Sequence, residues 1–430
     1  RDLHLSIRRQ RQMCIRDRGN SAAQVLLGIM FEKGQGVAKN YKEAAKWYQL
    51  SAQGGNAVAQ NRLGQIFEKG LGFPKDDEKA FKWYQLSADQ GYALSQLTLG
   101  EKYYHGNGLQ QDYTEAIKWF KLSAEQGLKD AQYNLAVIYY NGQGVEQDYE
   151  EAFKRYHLLA LEGHAKSRYN LGLMYYRGKG VQQDYKAAFK WFKLSSDQGE
   201  EIAQYNLGYM YDQGKGVPQD CTKAFNFYEI SAKQGNGRAQ SNLGLMYSIG
   251  KGAVKNYQEA VKWFRLSAEQ SVKEGQSNLG VMYEKGQGVP QDFKNATKWF
   301  KLSAEQGFKD AQLNLGVMYK KGRGVPQDYR EALKWFKLSA DQGYDAGQYN
   351  LGVMYEKGQG IAYDLWEAFK WYQLAADQGH GLAQRALGFF YEAQEFGGSK
   401  DYISAYTWYS MAGDQGDELA VKGRRRVEKK

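Results

Sequence analysis

A chain of 430 residues with 50 glycines, 4 prolines and 15% aromatic residues is too aromatic and too poor in proline for a disordered glycine-rich polymer. Two cysteines exclude a disulfide framework, and no apolar run reaches the roughly 18 residues a membrane span needs. The formal net charge of +10 invites a nucleic-acid reading, but residues 1–18 hold six arginines against two acids, 422–430 hold six basic residues against one acid, and 19–421 is close to neutral.

In chain order, the first stretch stands outside the pattern that fills the rest. From residue 19 onward one glycine keeps a single frame: Gly28, Gly64, Gly100, Gly172, Gly208, Gly244, Gly280, Gly316, Gly352 and Gly388, with Ala136 in the gap. The spacing is 36 residues or a multiple. Tryptophan keeps the same beat at Trp47, Trp83, Trp119, Trp191, Trp263, Trp299, Trp335 and Trp371. Arg155 and Phe227 replace it twice, and Trp408 comes one residue late. The period defines eleven units between residues 20 and 416. Run backwards from Gly19, the register puts Arg8 where Ala44 calls for alanine and Arg11 where Trp47 calls for an aromatic. Residues 13–18, Met-Cys-Ile-Arg-Asp-Arg, resemble translated sequencing adapter. Residues 1–18 are therefore expected to be an assembly artefact, with the natural chain continuing upstream.

Each unit reads as two short helices. In the first, here helix A, Ala131, Leu135, Ile138 and Tyr139 fall at i, i+4, i+7 and i+8, one stripe of an α-helix. A glycine inside this helix costs about 1 kcal/mol relative to alanine, so its recurrence predicts close approach of a neighbouring helix. A Gly-x-Gly-Val turn such as Gly286, Gly288 and Val289 ends helix A by supplying positive φ. An Asp or Asn then caps helix B, at Asn40, Asp76, Asp112, Asp148, Asp184, Asp220, Asn256, Asp292, Asp328 and Asp364. Glu43, Glu115, Glu151, Glu259, Glu331 and Glu367 follow three residues later and predict capping boxes. In helix B, Ala116, Trp119, Phe120, Ser123 and Ala124 form the apolar stripe, and a Gln-Gly such as Gln126-Gly127 ends it. Two such helices cannot bury an aromatic stripe alone, whereas stacked copies can, which predicts a one-dimensional solenoid.

The pattern Ala311, Gln312, Leu315, Gly316, Met318, Tyr319, Gly322, Gly324, Val325, Asp328, Ala332, Trp335, Phe336 and Ala340 resembles the signature of the Sel-one-like repeat (SLR) family, relatives of the tetratricopeptide repeats. The resemblance covers 19–421 and recurs eleven times. It implies an all-α fold, an α/α right-handed superhelical solenoid of eleven 36-residue helical hairpins with a concave groove, and an adaptor role in protein complexes. One branch of the family is cysteine-rich, with a disulfide in each repeat and penicillin-binding or β-lactamase-like activity. This chain lacks those cysteines.

Little else suggests chemistry. His4 lies in the suspect first segment, His105 and His157 occupy polar surface positions, and His164 and His380 share one turn position six units apart. No pair has the i, i+4 spacing of a metal site, so no metal or cofactor is expected. Cys221 stands where Tyr113 and Tyr185 stand in other units, an ordinary substitution with no local base. The Gly-x-Gly turns lack the Gly-Lys-Ser/Thr of a phosphate loop. At the C-terminus Arg424 and Arg425 fall where the register wants Leu-Gly, so 422–430 read as a basic end, a polar capping helix or a truncated cap.

One regularity remains. Asn134, Asn170, Asn206, Asn242, Asn278, Asn314 and Asn350 form a run of seven on helix A, with Tyr133, Tyr169, Tyr205 and Tyr349 beside them. Amides can pair with both N–H and C=O of an extended peptide, and tyrosines add apolar contact. The ladder either grips a partner's backbone or bonds the backbone of its own or the next unit. The expectation is a non-catalytic scaffold that binds protein or peptide segments along the concave face, without nucleic acid and without a membrane span. The alternatives are an enzyme of the cysteine-rich branch and an envelope module binding glycan or peptidoglycan.

Overall fold

The computed structural model describes residues 20–393 and 401–430; the segment expected to be an artefact, with His4 and Cys14, lies outside them. Two compact units divide the chain, one ending at Glu200 and the other beginning at Glu201, between two repeats. Unit 1 holds five hairpins: Ser21–Lys33 with Tyr41–Gln53, Ala57–Lys69 with Asp77–Asp89, Ala93–His105 with Tyr113–Glu125, Lys129–Asn141 with Tyr149–Leu161, and Ala165–Arg177 with Tyr185–Ser196. Unit 2 holds six: Glu201–Gln213 with Cys221–Lys233, Gly237–Ile249 with Tyr257–Glu269, Lys273–Lys285 with Phe293–Glu305, Lys309–Lys321 with Tyr329–Asp341, Asp345–Lys357 with Leu365–Asp377, and Gly381–Ala393 with Tyr402–Asp414. A last helix, Glu418–Val427, closes unit 2. No strand occurs among the described residues, and each unit is an all-α solenoid of 36-residue hairpins.

The helix boundaries follow from the caps. Every helix B begins on an Asp or Asn whose carboxylate or amide oxygen accepts backbone N–H groups of the first turn, as Asp328 does from Arg330 at 2.8 Å and Glu331 at 3.1 Å. The capping box is only half made. The Asp328 N–H donates to the Tyr319 carbonyl of helix A at 3.0 Å, and the same bond recurs at Asn40, Asp112 and Asp364. The glutamate three residues on is thereby left without its backbone donor. It pairs instead along its own helix, as Glu367 does with Lys370 at 2.6 Å.

The recurrent helix-A glycine is explained by contact within the repeat. A Cβ on Gly316 would lie 2.6 Å from the Phe336 ring of helix B, and that ring is fully buried. Ala136 takes the same place against Tyr156, in a hairpin whose two helices approach each other less closely than the others of unit 1. The second turn glycine works between repeats. Gly324 has φ +74°, and a Cβ there would collide with the Phe293 carbonyl of the preceding repeat. Glycine is required twice over at that point, for backbone conformation and for space.

The core is a series of clusters, each shared between neighbouring repeats. Ala296, Phe300, Ala304, Ala311, Leu315 and Met318 are buried together with Trp335 of the next helix B. The last helix continues this pattern past residue 421. Ala420 and Val427 bury against Ala405 and Tyr409, and Arg426 forms a two-pronged ion pair with Glu392.

Candidate binding face on helix A

In unit 2, helices A of successive repeats touch one another directly, as Gly237–Ile249 does Lys273–Lys285 and Lys309–Lys321 does Asp345–Lys357, while helices B lie farther apart. Helix A therefore lines the inner side of unit 2. Cavities open between neighbouring A helices. One of about 400 Å³ in unit 2 is lined by Leu245, Asn278, Val281 and Lys285, and two of about 430 and 290 Å³ in unit 1 share Glu101 and His105.

Two polar columns hold the solenoid together, one within each repeat and one between repeats, and neither is the asparagine column. The first is a serine on helix B, fully buried, whose hydroxyl donates to the first carbonyl of helix A, as Ser303 Oγ does to Lys273 O at 2.7 Å and Ser339 Oγ to Lys309 O at 2.9 Å. The second is the glutamine of the Ala-Gln pair. Gln312 donates to the Ala304 carbonyl of the preceding repeat at 3.2 Å and accepts from Gln342 at 2.7 Å. Gln60, Gln96, Gln240, Gln276 and Gln384 repeat both bonds. These side chains are almost wholly buried, so their satisfied hydrogen bonds are a condition of stacking. Sequence reasoning placed the serine in an apolar stripe and gave the glutamine no role. The signal was there, since both recur in the frame of the glycine.

The seven asparagines all lie half-buried on helix A, two in unit 1 and five in unit 2. Their partners differ. Asn170 donates to the Tyr133 hydroxyl of the preceding repeat at 3.1 Å. Asn206 and Asn350 donate to carbonyls of their own helix, Ile202 and Ala346, both at 2.8 Å. Asn134 reaches the Glu101 carboxylate, and Asn242 faces the Tyr205 and Tyr228 hydroxyls. The side-chain amides of Asn278 and Asn314 make no hydrogen bond among the described residues. The tyrosines pack inward at their rings: Tyr133 on Tyr156, Tyr169 on Phe192, Tyr205 on Tyr228 and Tyr349 on Tyr372, with centroids 5.6–5.8 Å apart. Burial raises the pKa of Tyr133, Tyr205 and Tyr349. Three residues beyond each asparagine runs a column the sequence reading missed: Val137, Leu173, Tyr209, Leu245, Val281, Val317 and Val353. Amide and apolar side chains thus alternate along the inner face.

His164 and His380 have a structural place. They begin helix A of the fifth and eleventh repeats, where Asn20, Asn56 and Asn236 stand in others. Their Nδ1 atoms accept from the Ser167 and Ala383 N–H, both at 3.3 Å. Burial holds both rings below the ordinary histidine pKa. Cys221 opens a helix B, half-buried.

A family model for the Sel1 repeat matches eleven consecutive segments, 21–56, 57–92, 93–128, 129–164, 165–200, 202–236, 237–272, 273–308, 309–344, 345–380 and 381–417. The chain belongs to the Sel1-repeat family. Among solved structures, this Sel1-repeat chain is similar to a protective antigen present in uropathogenic Escherichia coli strains that displays an SLR fold. The two are 35% identical with a TM-score of 0.80, over 98% of this chain and 90% of the other. It is also similar to a Sel1 repeat protein from Oxalobacter formigenes, 34% identical with a TM-score of 0.51, over 71% of this chain and 88% of the other. Among curated protein sequences, none matches. Sel1 repeats build all-helical scaffolds suited to protein interaction. Among the described residues no helix is long and apolar enough to cross a membrane.

Proposed function

We propose that this Sel1-repeat protein is a non-catalytic scaffold that holds protein segments in extended conformation along the helix-A face. The observation that carries the reading is the division of labour between two amide columns. The buried glutamines already satisfy the polar needs of stacking, so the half-buried asparagines are not needed for it. Asn278 and Asn314 keep donor and acceptor capacity unused, next to the apolar Val281 and Val317. That alternation suits an extended chain, which presents backbone amides and side chains in turn.

The test is a triple substitution, Asn278→Ala, Asn314→Ala and Asn350→Ala, in the full chain. A partner recovered by cross-linking is first identified, and its binding is then measured by calorimetry. Affinity is expected to fall by about tenfold or more, on the scale of about 0.5–1.5 kcal/mol per lost hydrogen bond, with thermal unfolding unchanged. Unchanged affinity with intact folding would rule out the ladder.

A further inference from the structure

The third repeat departs from the pattern of its neighbours at one place on helix A. The column three residues beyond the asparagine position is Ile29, Gln65, Glu101, Val137 and Leu173 in unit 1. Glu101 is its one acid there. The next residue, Lys102, occupies a core position held by Ile66, Ile138 and Met174 in other repeats. Lys102 is buried and its ammonium is committed to Glu68, which also accepts from the Tyr84 hydroxyl at 2.8 Å. No cation pairs with Glu101 itself among the described residues.

Glu101 lines a cavity of about 290 Å³ with Tyr104, His105, Phe120, Tyr133, Asn134 and Val137. Tyr104 is held in place by an edge contact with His105 at 4.8 Å and by a hydrogen bond from its hydroxyl to Gln143. Tyr133 is fixed between Tyr156 and His164. The walls are aromatic and rigid, and the one unneutralised charge at the edge is negative. Burial, then the nearby Asp130 and more weakly Glu68, raise the pKa of Glu101, while His105 and Asn134 oppose the shift. A carboxylate so placed gains from any cation that enters, by Coulomb attraction and by the faces of the rings.

We infer that this cavity is a receptor for one cationic side chain, lysine or arginine, of a bound protein segment. The inference rests on the scaffold reading and adds a specificity element to it. Its size suits such a chain: an alkyl stem lies against Tyr104, Phe120, Tyr133 and Val137, and the charged head meets Glu101. Asp130 extends the negative potential beyond the mouth.

The test uses n-butylammonium and n-butylguanidinium as stand-ins for the two side chains, with n-butanol as the uncharged control, titrated at pH 7.5 into the full chain with labelled valine and tyrosine. Saturable shifts at Val137 and Tyr133 are expected at millimolar cation and not with butanol. The cation bound more tightly names lysine or arginine as the preferred residue. Glu101→Gln should weaken binding about tenfold while leaving the melting temperature unchanged. Tyr133→Leu, which keeps an apolar side chain and removes the ring, should weaken it severalfold. Absence of saturation, an equal response to butanol, or unchanged affinity in Glu101→Gln would overturn the inference. Because the asparagine triple lies in unit 2, loss of the ladder reading and loss of this one are separately visible.

Discussion

Three turn glycines in neighbouring repeats have similar φ values and different surroundings, so their alanine variants separate backbone strain from steric contact. Gly307 has φ +77° and open space around a built Cβ; Gly322 has φ +63° with Gln327 Cβ at 3.2 Å; Gly324 has φ +74° and faces the Phe293 carbonyl of the preceding repeat. Left-handed backbone costs an alanine about 1–2 kcal/mol, and all three variants bear it. The entropy removed from the unfolded chain, worth about 0.4–1 kcal/mol, is also common to them and cancels in the comparison. Gly324→Ala adds an overpacking cost of about 1–3 kcal/mol, because the atom in the way is backbone and the two repeats must separate to admit a methyl group. With about 2–4 °C per kcal/mol for a body of this size, and the entropy gain offsetting part of the strain, Gly307→Ala should lower the melting temperature by about 2 °C and Gly324→Ala by about 8 °C, with Gly322→Ala between. Scanning calorimetry on the full chain reads all three. If Gly324→Ala is no more harmful than Gly307→Ala, the second turn glycine is not a contact between repeats, and the account of its recurrence fails.

Two further outcomes follow from the same geometry. Gln312→Leu should cost about 1–3 kcal/mol, since it removes two hydrogen bonds, to the Ala304 carbonyl and from the Gln342 amide, each worth about 0.5–1.5 kcal/mol. Asn314→Ala, two residues away on the same helix, should stay within about 0.5 kcal/mol; urea unfolding compares them, and equal losses would refute the assignment of stacking to glutamine alone. The two capping histidines should make stability fall in mild acid. Their folded pKa values lie below the ordinary 6.5, so the unfolded chain binds more protons below that value. The loss begins as pH drops through about 6.5 and levels off once pH is below the folded pKa. Protonation removes the acceptor that caps the helix, a contribution of about 1 kcal/mol at each site. His164→Asn with His380→Asn, which copies the cap of Asn56 and Asn236, should flatten the stability profile between pH 7.5 and 5 by that amount; an unchanged slope would sink the cap explanation.

The hairpins were legible because their determinants are local. Asp328 caps through its own first turn, Gly322 ends its own helix, and the stripe of Ala332, Trp335 and Phe336 obeys helical spacing. What the sequence hid depends on the partner helix of the hairpin. Glu331 looked like the second half of a capping box because the sequence cannot show that the Asp328 N–H is already given to Tyr319 across the hairpin. Gly316 announced a close approach but not its partner, the Phe336 ring of its own repeat.

The two amide columns show why a repeat conceals function so effectively. Gln312 and Asn314 recur with the same period, are both polar, and lie on one helix two residues apart. Period therefore cannot separate a stacking role from a binding role, because selection on either returns every 36 residues. Burial can. The preceding repeat and helix B of its own repeat close over Gln312 and leave 4% of it exposed, so its hydrogen bonds must be met from within, whereas Asn314 stays open enough to be met from outside. The same logic inverts at the third repeat. Glu101 and Lys102 break the period, so shared packing requirements cannot account for them. Lys102 is absorbed by Glu68, while Glu101 is left facing a cavity of about 290 Å³. In a chain whose regular residues are mostly occupied in building the solenoid, a charge that is both irregular and unpaired is the strongest mark of what one solenoid recognises and its neighbours do not.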